Sequence, residues 1–564
     1  MNQVIAMTNP FRSNEAMYWP KPISLAGCAV LMMSLLAGCT GTTSLAIKDG
    51  RETQSSGLEF PMDRYEARSV VVDGKATAVR AYENVVYVAS PVDTTYQVMN
   101  IYVPEAYFHD ERVGAFDART APIFFPNQVG GYMPSQPGTP EGRRDLPPGA
   151  GARGGMAASP AGAGRTPQSI PPEGIRSAGA NGPGAGETRV SAIAVALSKG
   201  YVVASPGARG RTTQDAGGTY TGKAPAAIVD LKAAVRYLRY NDARIPGDAE
   251  KIISNGTSAG GALSALLGAS GNSADYEPYL KALGAAPARD NIFAVSAYCP
   301  ITNLEHADSA YEWQFNGVND YKKFDMSMLD YNVQRREVAG TLTTAQIDIS
   351  DALKAQFPAY LDSLGLREPQ GQALTLDAAG NGSFKTYIKL LVIASAQTAL
   401  DAGQNLSALD WLTVANGKVT SLDFDRYVRY AGRQKLPPAF DALDLSSGEN
   451  QLFGTETIDK QHFTTFSQRR STAAGATLAD AATVKMMNPL RYIGAADAST
   501  SPHWRIRHGT KDRDTSLAVP VILAATLQNK GYAVDLALPW DRPHSGDYDL
   551  DELFAWMERI SIRE

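Results

Sequence analysis

Residues 251–267 read KIISNGTSAGGALSALL, and this stretch decides the fold. A short strand, 251–254, leads into the glycine-rich turn 256–261, and small apolar residues then continue as a helix, 262–267. The turn has the pattern G-x-S-x-G, in which crowded backbone atoms leave room only for small residues beside the central serine. The start of a helix also directs its amide groups towards negative charge. The pattern therefore predicts that Ser258 is a nucleophile, and the alternative is an ordinary glycine-rich turn.

Strands and helices alternate on both sides of this turn. Before it, the sequence predicts strands at 78–88, 96–103, 121–125 and 201–205 and helices at 189–199 and 226–240. After it, the predicted elements are strands at 292–298, 504–507 and 533–538 and helices at 517–529 and 550–560. The first two strands suit an antiparallel pair, whereas the later alternation is typical of a mostly parallel sheet with helices on both faces. The predicted fold class is α/β.

Two segments interrupt the alternation. Residues 133–187 are dominated by Gly, Pro, Ala and Ser, so they bury too little apolar surface to offset their ordering entropy, and we expect a flexible insertion. Residues 303–487 are too long for a loop and carry helical patterns of their own, such as 383–402, which predicts an inserted cap domain. The core domain then consists of residues 60–302 and 488–564.

Composition limits the partners that the protein can have. Of 564 residues, 44% are hydrophobic and 20% are charged, which is typical of a soluble globular protein and excludes a disordered or multi-span membrane chain. Lys and Arg number 53 against 58 Asp and Glu, and the net charge of -5 gives no basic surface for nucleic acid. We therefore expect a small or uncharged substrate.

The N-terminal segment has the pattern of an export signal. Residues 23–38 form a nearly uncharged run that is shorter than the ~20 residues of a membrane-spanning helix. The run ends in Leu-Ala-Gly before Cys39, which is similar to a bacterial lipobox, whereas Cys28 has no apolar run before it. The pattern predicts a signal peptide at 1–39, lipidation of Cys39 and an outer-membrane or cell-surface lipoprotein. The alternative is an uncleaved hydrophobic segment.

A serine nucleophile needs a general base, and the chain has six histidines. They are His109, His306, His462, His503, His508 and His544. In this kind of turn the chain order is serine, acid, histidine, which excludes the first. The next two lie in the predicted cap, and the following two bracket a predicted strand. His544, in a loop between the last predicted strand and helix, is therefore the predicted base, with a surface histidine as the alternative.

The acid that orients the base should follow the preceding strand. Residues 508–514 read HGTKDRD and offer Asp512 and Asp514. Asp512 is favoured because His-Gly-x-x-Asp is the usual form of this turn and the carboxylate must stabilise the imidazolium. Asp514 is then expected to face the substrate pocket, and the reverse assignment is the alternative.

An oxyanion hole needs two backbone amides. One should come from Ala259, directly after the serine, and the other from a loop after an earlier strand. The sequence 126–132, PNQVGGY, is well placed, and its Gly130 and Gly131 would let the backbone approach a substrate. The same glycines could equally begin a linker.

These motifs resemble those of bacterial tannases, the tannin acyl hydrolase branch of the α/β-hydrolases, which is related to feruloyl esterases. The likeness rests on GTSAGGAL at 256–263, HGTKDRDT at 508–515 and His544, and it extends from about Ser69 to the C-terminus without 133–187. It implies an α/β-hydrolase fold with a lid and a serine esterase that releases gallic acid through a galloyl-enzyme, with no cofactor or metal.

The resemblance also implies an acyl-binding set of Lys435, Glu449 and Asp514 around a ring with three hydroxyl groups. Carboxylates accept hydrogen bonds from such hydroxyls and an ammonium donates to them. Thr257 and Pro543 stand where fungal tannases have paired cysteines, so neither that disulfide nor the associated calcium site is expected. Two rivals remain: a feruloyl or general carboxylesterase of the same fold, and a non-catalytic surface lipoprotein that uses the fold for binding.

Overall fold

A large, mostly parallel β-sheet organises the protein. The computed structural model describes residues 57–142, 190–329 and 332–562. The strands in chain order are β1 (Glu66–Val72), β2 (Lys75–Val86), β3 (Val98–Pro104), β4 (Pro122–Pro126), β5 (Val202–Pro206), β6 (Asp248–Thr257), β7 (Ala294–Tyr298), β8 (Asp320–Leu329), β9 (Asn332–Thr341), β10 (Leu412–Ala415), β11 (Lys418–Leu422), β12 (His503–Arg507) and β13 (Ala533–Ala537). Nine of them form the large sheet in the order β1-β2-β3-β5-β4-β6-β7-β12-β13.

The sheet has an antiparallel edge and a parallel body. Strands β1, β2 and β3 pair antiparallel, and β3 also pairs antiparallel with β5. From β5 to β13 every neighbouring pair is parallel. Every residue of β4, β5 and β7 is buried, as expected for strands that are covered on both faces. This burial explains why the strands appear in the sequence as short, uninterrupted apolar runs.

Helices cover the sheet and fill the connections. They are α1 (Ala192–Ser198), α2 (Ala226–Tyr240), α3 (Ala259–Ala269), α4 (Glu277–Ala282), α5 (Leu304–Phe315), α6 (Thr344–Lys354), α7 (Phe357–Ser363), α8 (Ser383–Asp401), α9 (Phe424–Ala431), α10 (Gly448–Leu452), α11 (Thr465–Arg469), α12 (Ala481–Met486), α13 (Ala518–Asn529) and α14 (Leu550–Ile562). Short 3₁₀ turns lie at Glu105–His109, Ala274–Tyr276 and Pro489–Arg491. Within the described ranges, no helix is both long and apolar enough to cross a bilayer.

The chain between β7 and β12 forms helices α5 to α12 and two hairpins, β8–β9 and β10–β11. None of these described strands joins the large sheet. Buried Tyr311, Trp313 and Phe440 of this segment belong to the same continuous apolar core as Ile253 and Leu263 of the strand–turn–helix unit. The inserted segment therefore packs onto the sheet and shares its core.

The predicted α/β class is confirmed, and several predicted elements agree closely with the structure. Helix α2 has the predicted bounds, whereas α3 begins at Ala259 instead of 262, because the turn at Ser258 enters the helix directly. Strand β6 is longer than the predicted 251–254 at both ends.

Residues 133–142, which the prediction includes in a flexible insertion, are packed against the sheet. The amides and carbonyls of Ser135 and Ala208 exchange two hydrogen bonds of 2.9 Å, and the Gly138 amide donates to the Ser205 hydroxyl. Small residues allow this close backbone contact, so residues 133–142 are packed where their composition predicts a flexible loop. The remainder of the insertion and the predicted signal segment lie outside the described residues.

Candidate active site

Ser258 lies at the junction between β6 and α3. Its backbone angles are φ 61° and ψ -122°, a conformation that residues other than glycine rarely adopt. The Ser258 amide donates to the carbonyl of Tyr298 at the end of β7, over 2.9 Å. Space beside the serine is limited, because a Cβ atom on Gly256 would lie 2.3 Å from the carbonyl oxygen of Gly260. The glycines of the motif are therefore required by close backbone packing around a strained residue.

His544 and Asp512 come from two different loops and form a hydrogen-bonded pair. Asp512 lies between β12 and α13, and His544 lies between β13 and α14. The Nδ1 atom of His544 is 2.7 Å from one Asp512 oxygen, and the other oxygen accepts hydrogen bonds from the amides of Asp514 and Thr515. Asp512 is buried, whereas 17% of the His544 side chain is exposed. This arrangement leaves Nε2 of His544 for a second partner.

Charge within the pair shifts both pKa values. Burial alone would raise the pKa of Asp512, but the charges of His544 and His508 and the bond to His544 bring it well below its usual value. Burial alone would lower the pKa of His544, but Asp512 and Asp514 together raise it well above its usual value. His544 is therefore a stronger base than a free imidazole. The pKa of the buried His508, whose Nε2 is 3.7 Å from Asp512, is lowered by its burial.

The loop that carries His544 rests directly on the turn that carries the serine. A Cβ atom on Gly546 would lie only 1.9 Å from the Thr257 hydroxyl oxygen, so this glycine lets the two segments touch. The side-chain amide of Asn255 also donates to an Asp547 oxygen over 3.0 Å. The predicted base and the predicted nucleophile are thus held on adjoining backbone segments.

A buried cysteine, Cys299, completes the surroundings of the pair and was missed by the sequence analysis. Its thiol donates to the Ser545 carbonyl over 3.4 Å. Its sulfur, a His544 nitrogen and an Asp512 oxygen lie within 4.8 Å of one another, the one group among the described residues whose spacing could hold a metal ion. The hydrogen bond between His544 and Asp512 within this group favours a proton-transfer role instead. The only sequence signal was the position of Cys299 directly after β7.

The loop after β4 contacts the turn that carries Ser258, and both segments have backbone amides without a hydrogen-bond partner among the described residues. The side-chain amide of Asn127 donates to the Gly260 carbonyl over 3.0 Å and so fastens the loop after β4 to the turn. In the described part of the chain, the amides of Ala259, Gly130 and Gly131 donate no hydrogen bond to another residue. They are therefore available to a substrate oxygen.

Lys435, Asp514 and Glu449 form a charged cluster beside the acid–base pair. The Lys435 ammonium is 3.2 Å from an Asp514 oxygen, and the Gln434 side-chain amide donates to the other oxygen over 2.9 Å. Burial raises the pKa of Glu449, although the charges of Lys435 and Arg211 oppose this rise. Burial would also raise the pKa of Asp514, but Lys435 and His544 lower it overall. The structure thus brings Lys435 and Asp514 into contact, and the Glu449 carboxyl is close enough for the charges of both to influence its pKa.

Tyr311 of α5 fixes two members of this cluster. Its buried hydroxyl accepts the amides of Gln434 and Lys435 at 3.1 and 3.0 Å and donates to the Arg513 carbonyl over 2.9 Å. The segment of Lys435 is thereby joined to the residue before Asp514. Sequence reasoning missed Tyr311, because a single tyrosine inside a helix of mixed polar and apolar residues carries no pattern of its own.

A second serine–histidine–aspartate chain lies in the inserted segment. His462 is 2.7 Å from an Asp441 oxygen and 2.8 Å from the Ser471 hydroxyl. The Asp441 carboxylate also accepts hydrogen bonds from the amide and the hydroxyl of Thr464. The Ser471 hydroxyl lies 3.2 Å from the Leu443 carbonyl. His462 is fully buried, and these bonds tie loops together. This geometry is that of a structural network.

Comparison with known proteins places the chain among esterases. A family model described as BD-FAE matches residues 181–348. The chain is similar to the tannase of Fusobacterium nucleatum (48% identity, 89% of this chain and 99% of that chain, TM-score 0.78) and to the tannase of Lactobacillus plantarum (46% identity, 89% and 100%, TM-score 0.79). It is also similar to a tannin acyl hydrolase in complex with ethyl gallate (47% identity, 90% and 99%, TM-score 0.78). No curated protein matches the chain.

Proposed function

The chain belongs to the tannase family of carboxylic-ester hydrolases, and from this membership we propose that it cleaves galloyl esters to gallic acid and an alcohol by a serine mechanism. The observation that carries the mechanism is the 2.7 Å contact between His544 and Asp512, in a loop that touches the Ser258 turn. The proposed nucleophile is Ser258, the base is His544 and the orienting acid is Asp512.

The proposed reaction has two halves. Ser258 Oγ attacks the ester carbonyl while His544 Nε2 takes its proton, and the amides of Ala259 and the Gly130–Gly131 loop stabilise the oxyanion. The bond to the alcohol then breaks as His544 returns the proton to the leaving oxygen, which leaves a galloyl-enzyme. Water, activated by His544, attacks this ester and releases gallic acid and free Ser258.

The charged cluster supports a galloyl group as the acyl portion. The galloyl ring has three adjacent hydroxyls, and each can donate and accept a hydrogen bond. Such a ring suits two carboxylates, Glu449 and Asp514, and one ammonium, Lys435. A feruloyl ring carries one hydroxyl and one methoxy group, and the methoxy oxygen has no proton to donate to a carboxylate. The cluster therefore favours galloyl over feruloyl esters, although both reactions could use the same acid–base pair.

Hydrolysis of methyl gallate, methyl ferulate and p-nitrophenyl acetate tests the proposal. We expect methyl gallate to have the highest kcat/KM, and Ser258→Ala to abolish turnover of all three. Ser471→Ala is the matched control, since Ser471 also contacts a histidine that contacts an aspartate, and it should retain wild-type turnover. Turnover of ferulate without gallate would refute the galloyl assignment, and activity lost in Ser471→Ala but not in Ser258→Ala would refute the nucleophile.

We also propose that the protein is exported and anchored through a lipid on Cys39. The support is the sequence of residues 23–39, which lies outside the described structure. A signal-peptidase II inhibitor should leave the precursor uncleaved in cells that express the full chain. A mature protein of unchanged size and without lipid would contradict this proposal.

A further inference from the structure

Arg211 spans the gap between the loop after β4 and helix α10. Its backbone amide donates to the Tyr132 carbonyl and its Nε donates to the Gly131 carbonyl, both over 2.9 Å. Two bonds from one residue thus hold the loop whose amides are proposed to bind the oxyanion. Arg211 itself follows β5 and is only partly exposed.

The other end of the same guanidinium fixes α10. Its Nη1 donates to the side-chain oxygen of Gln451. Gly448 at the start of the helix lies flat against the guanidinium, since a Cβ atom there would be 3.1 Å from Arg211 Cζ. Glu449 is the next residue of this short helix, so Arg211 contacts the helix on both sides of Glu449 along the chain, at Gly448 and at Gln451. Gln451 is held in turn by a bond of 2.9 Å to Asp459.

Charge connects the same groups. The positive charge of Arg211 opposes the rise that burial produces in the pKa of Glu449, and so does that of Lys435. Asp514 and Tyr132 are the other titratable groups that interact with the Glu449 carboxyl. Arg211 therefore influences both the position and the ionisation of Glu449.

We infer that Arg211 is a positioning residue that holds the oxyanion loop and the Glu449 helix in one fixed relation, so that a bound acyl ring and the reacting carbonyl are aligned together. This inference rests on the proposed function, because the roles of the loop and of Glu449 belong to that proposal. A planar guanidinium suits the task, since it donates in several fixed directions at once, whereas a lysine ammonium is a single point of charge.

The first test is kinetic and uses Arg211→Lys, which keeps the positive charge and removes the planar guanidinium with its several donors. We expect kcat per active site, counted with a fluorophosphonate, to fall by up to ~10²-fold on both methyl gallate and p-nitrophenyl acetate, because a displacement of ~1 Å can cost that much. The KM for p-nitrophenyl acetate should stay the same. Arg367→Lys is the matched control, since Arg367 also donates to a loop carbonyl, that of Gly371, in an exposed position, and it should retain wild-type kcat.

The second test separates charge from geometry with Arg211→Met. The measured quantity is the ratio of kcat/KM for methyl gallate to kcat/KM for p-nitrophenyl acetate. Both reactions depend on the ionisation of His544 in the same way, so this dependence cancels in the ratio. In the wild type this ratio should fall at low pH as Glu449 becomes protonated. In Arg211→Met the fall should begin at higher pH, because the cation that lowers the pKa of Glu449 is gone, whereas Arg211→Lys should keep the wild-type midpoint. A merely structural role would not move this midpoint.

The outcomes are distinguishable from those of the proposed function. A wild-type protein that cleaves p-nitrophenyl acetate but not methyl gallate refutes the galloyl assignment, and the acetate kinetics of Arg211→Lys still test the oxyanion loop. Wild-type kcat per active site in Arg211→Lys on the esters that the enzyme cleaves overturns the inference. So does a pH midpoint that is the same in Arg211→Met and the wild type.

Discussion

Replacing Tyr311 with Phe should change which ester the enzyme prefers. The substitution keeps the ring and removes a hydroxyl that satisfies three backbone groups, the amides of Gln434 and Lys435 and the carbonyl of Arg513. An unpaired buried polar group costs about 1–3 kcal/mol. These three residues are only partly buried, so water can reach some of the released groups, and a total near ~3 kcal/mol is expected from the low end of that range.

The loss of stability should produce only a small shift in Tm. The entropy of unfolding is roughly 2.1 cal/mol/K per residue, so the 457 described residues give about 1 kcal/mol/K, and ~3 kcal/mol lowers Tm by about 3 °C. The effect on specificity should be larger. Once Lys435 and Asp514 are no longer joined through Tyr311, a shift of ~1 Å between them would lower kcat/KM for methyl gallate by up to ~10²-fold.

Turnover of p-nitrophenyl acetate should stay within about twofold of wild type, because Asp512 keeps its own bonds to the amides of Asp514 and Thr515. The control is Tyr276→Phe, in which a fully buried tyrosine loses a bond of 2.7 Å to the Met486 carbonyl. It should lower Tm without changing the ester preference. An unchanged gallate-to-acetate ratio in Tyr311→Phe, or an equal loss on both esters, would refute this reasoning.

Three further predictions concern the acid–base pair. Gly546→Ala would place a Cβ atom 1.9 Å from the Thr257 hydroxyl oxygen, so kcat should fall by ~10²-fold. The double variant with Thr257→Ala should recover part of this kcat, and no recovery would exclude this contact as the cause. Asp512→Asn should lower kcat by as much as ~10⁴-fold, and a larger loss in Asp514→Asn would reverse the acid assignment. Because Asp514 raises the pKa of His544, the acidic limb of kcat/KM for p-nitrophenyl acetate should move to lower pH in Asp514→Asn, whereas an unmoved limb would contradict that interaction.

The sequence predicts the elements of the core well, because each leaves a local pattern. The predicted bounds of α2, 226–240, coincide with the structure, and a buried parallel strand such as β7 is visible as one apolar run. The contact between Asp512 and His544 could be anticipated, since both follow strands of a parallel sheet and the carboxyl ends of such strands share one edge.

The residues that hold the site together could not be predicted in the same way. Tyr311, Arg211 and Cys299 act through backbone atoms of residues far away in the chain, and such contacts depend on the final packing. Lys435 and Glu449 are accessible only through a resemblance, because Lys435 stands in irregular sequence between two helices and Glu449 lies in a helix of five residues, too short for a recognisable pattern. Composition predicts a flexible insertion that includes residues 133–142, because it indicates only how much apolar side-chain surface a segment can bury. It gives no information about backbone hydrogen bonds between small residues, which hold this segment against the sheet.

The division of labour between the core and the inserted segment follows from these contacts. In the proposed mechanism the acid–base pair and the serine turn act on the ester bond, which every ester presents, so they would not distinguish one acyl group from another. Selection between acyl groups must therefore come from polar groups of the protein that lose their hydrogen-bond partners when a ring without hydroxyls binds. In the proposed acyl-binding set Lys435 and Glu449 come from the inserted segment and Asp514 from the core, and each would lose a charged hydrogen bond to a ring without hydroxyls. Sites that depend on such bonds can reject the wrong substrate by ~10⁴-fold, so we expect substitutions at Lys435, Glu449 or Asp514 to change the acyl preference while the acid–base pair stays intact.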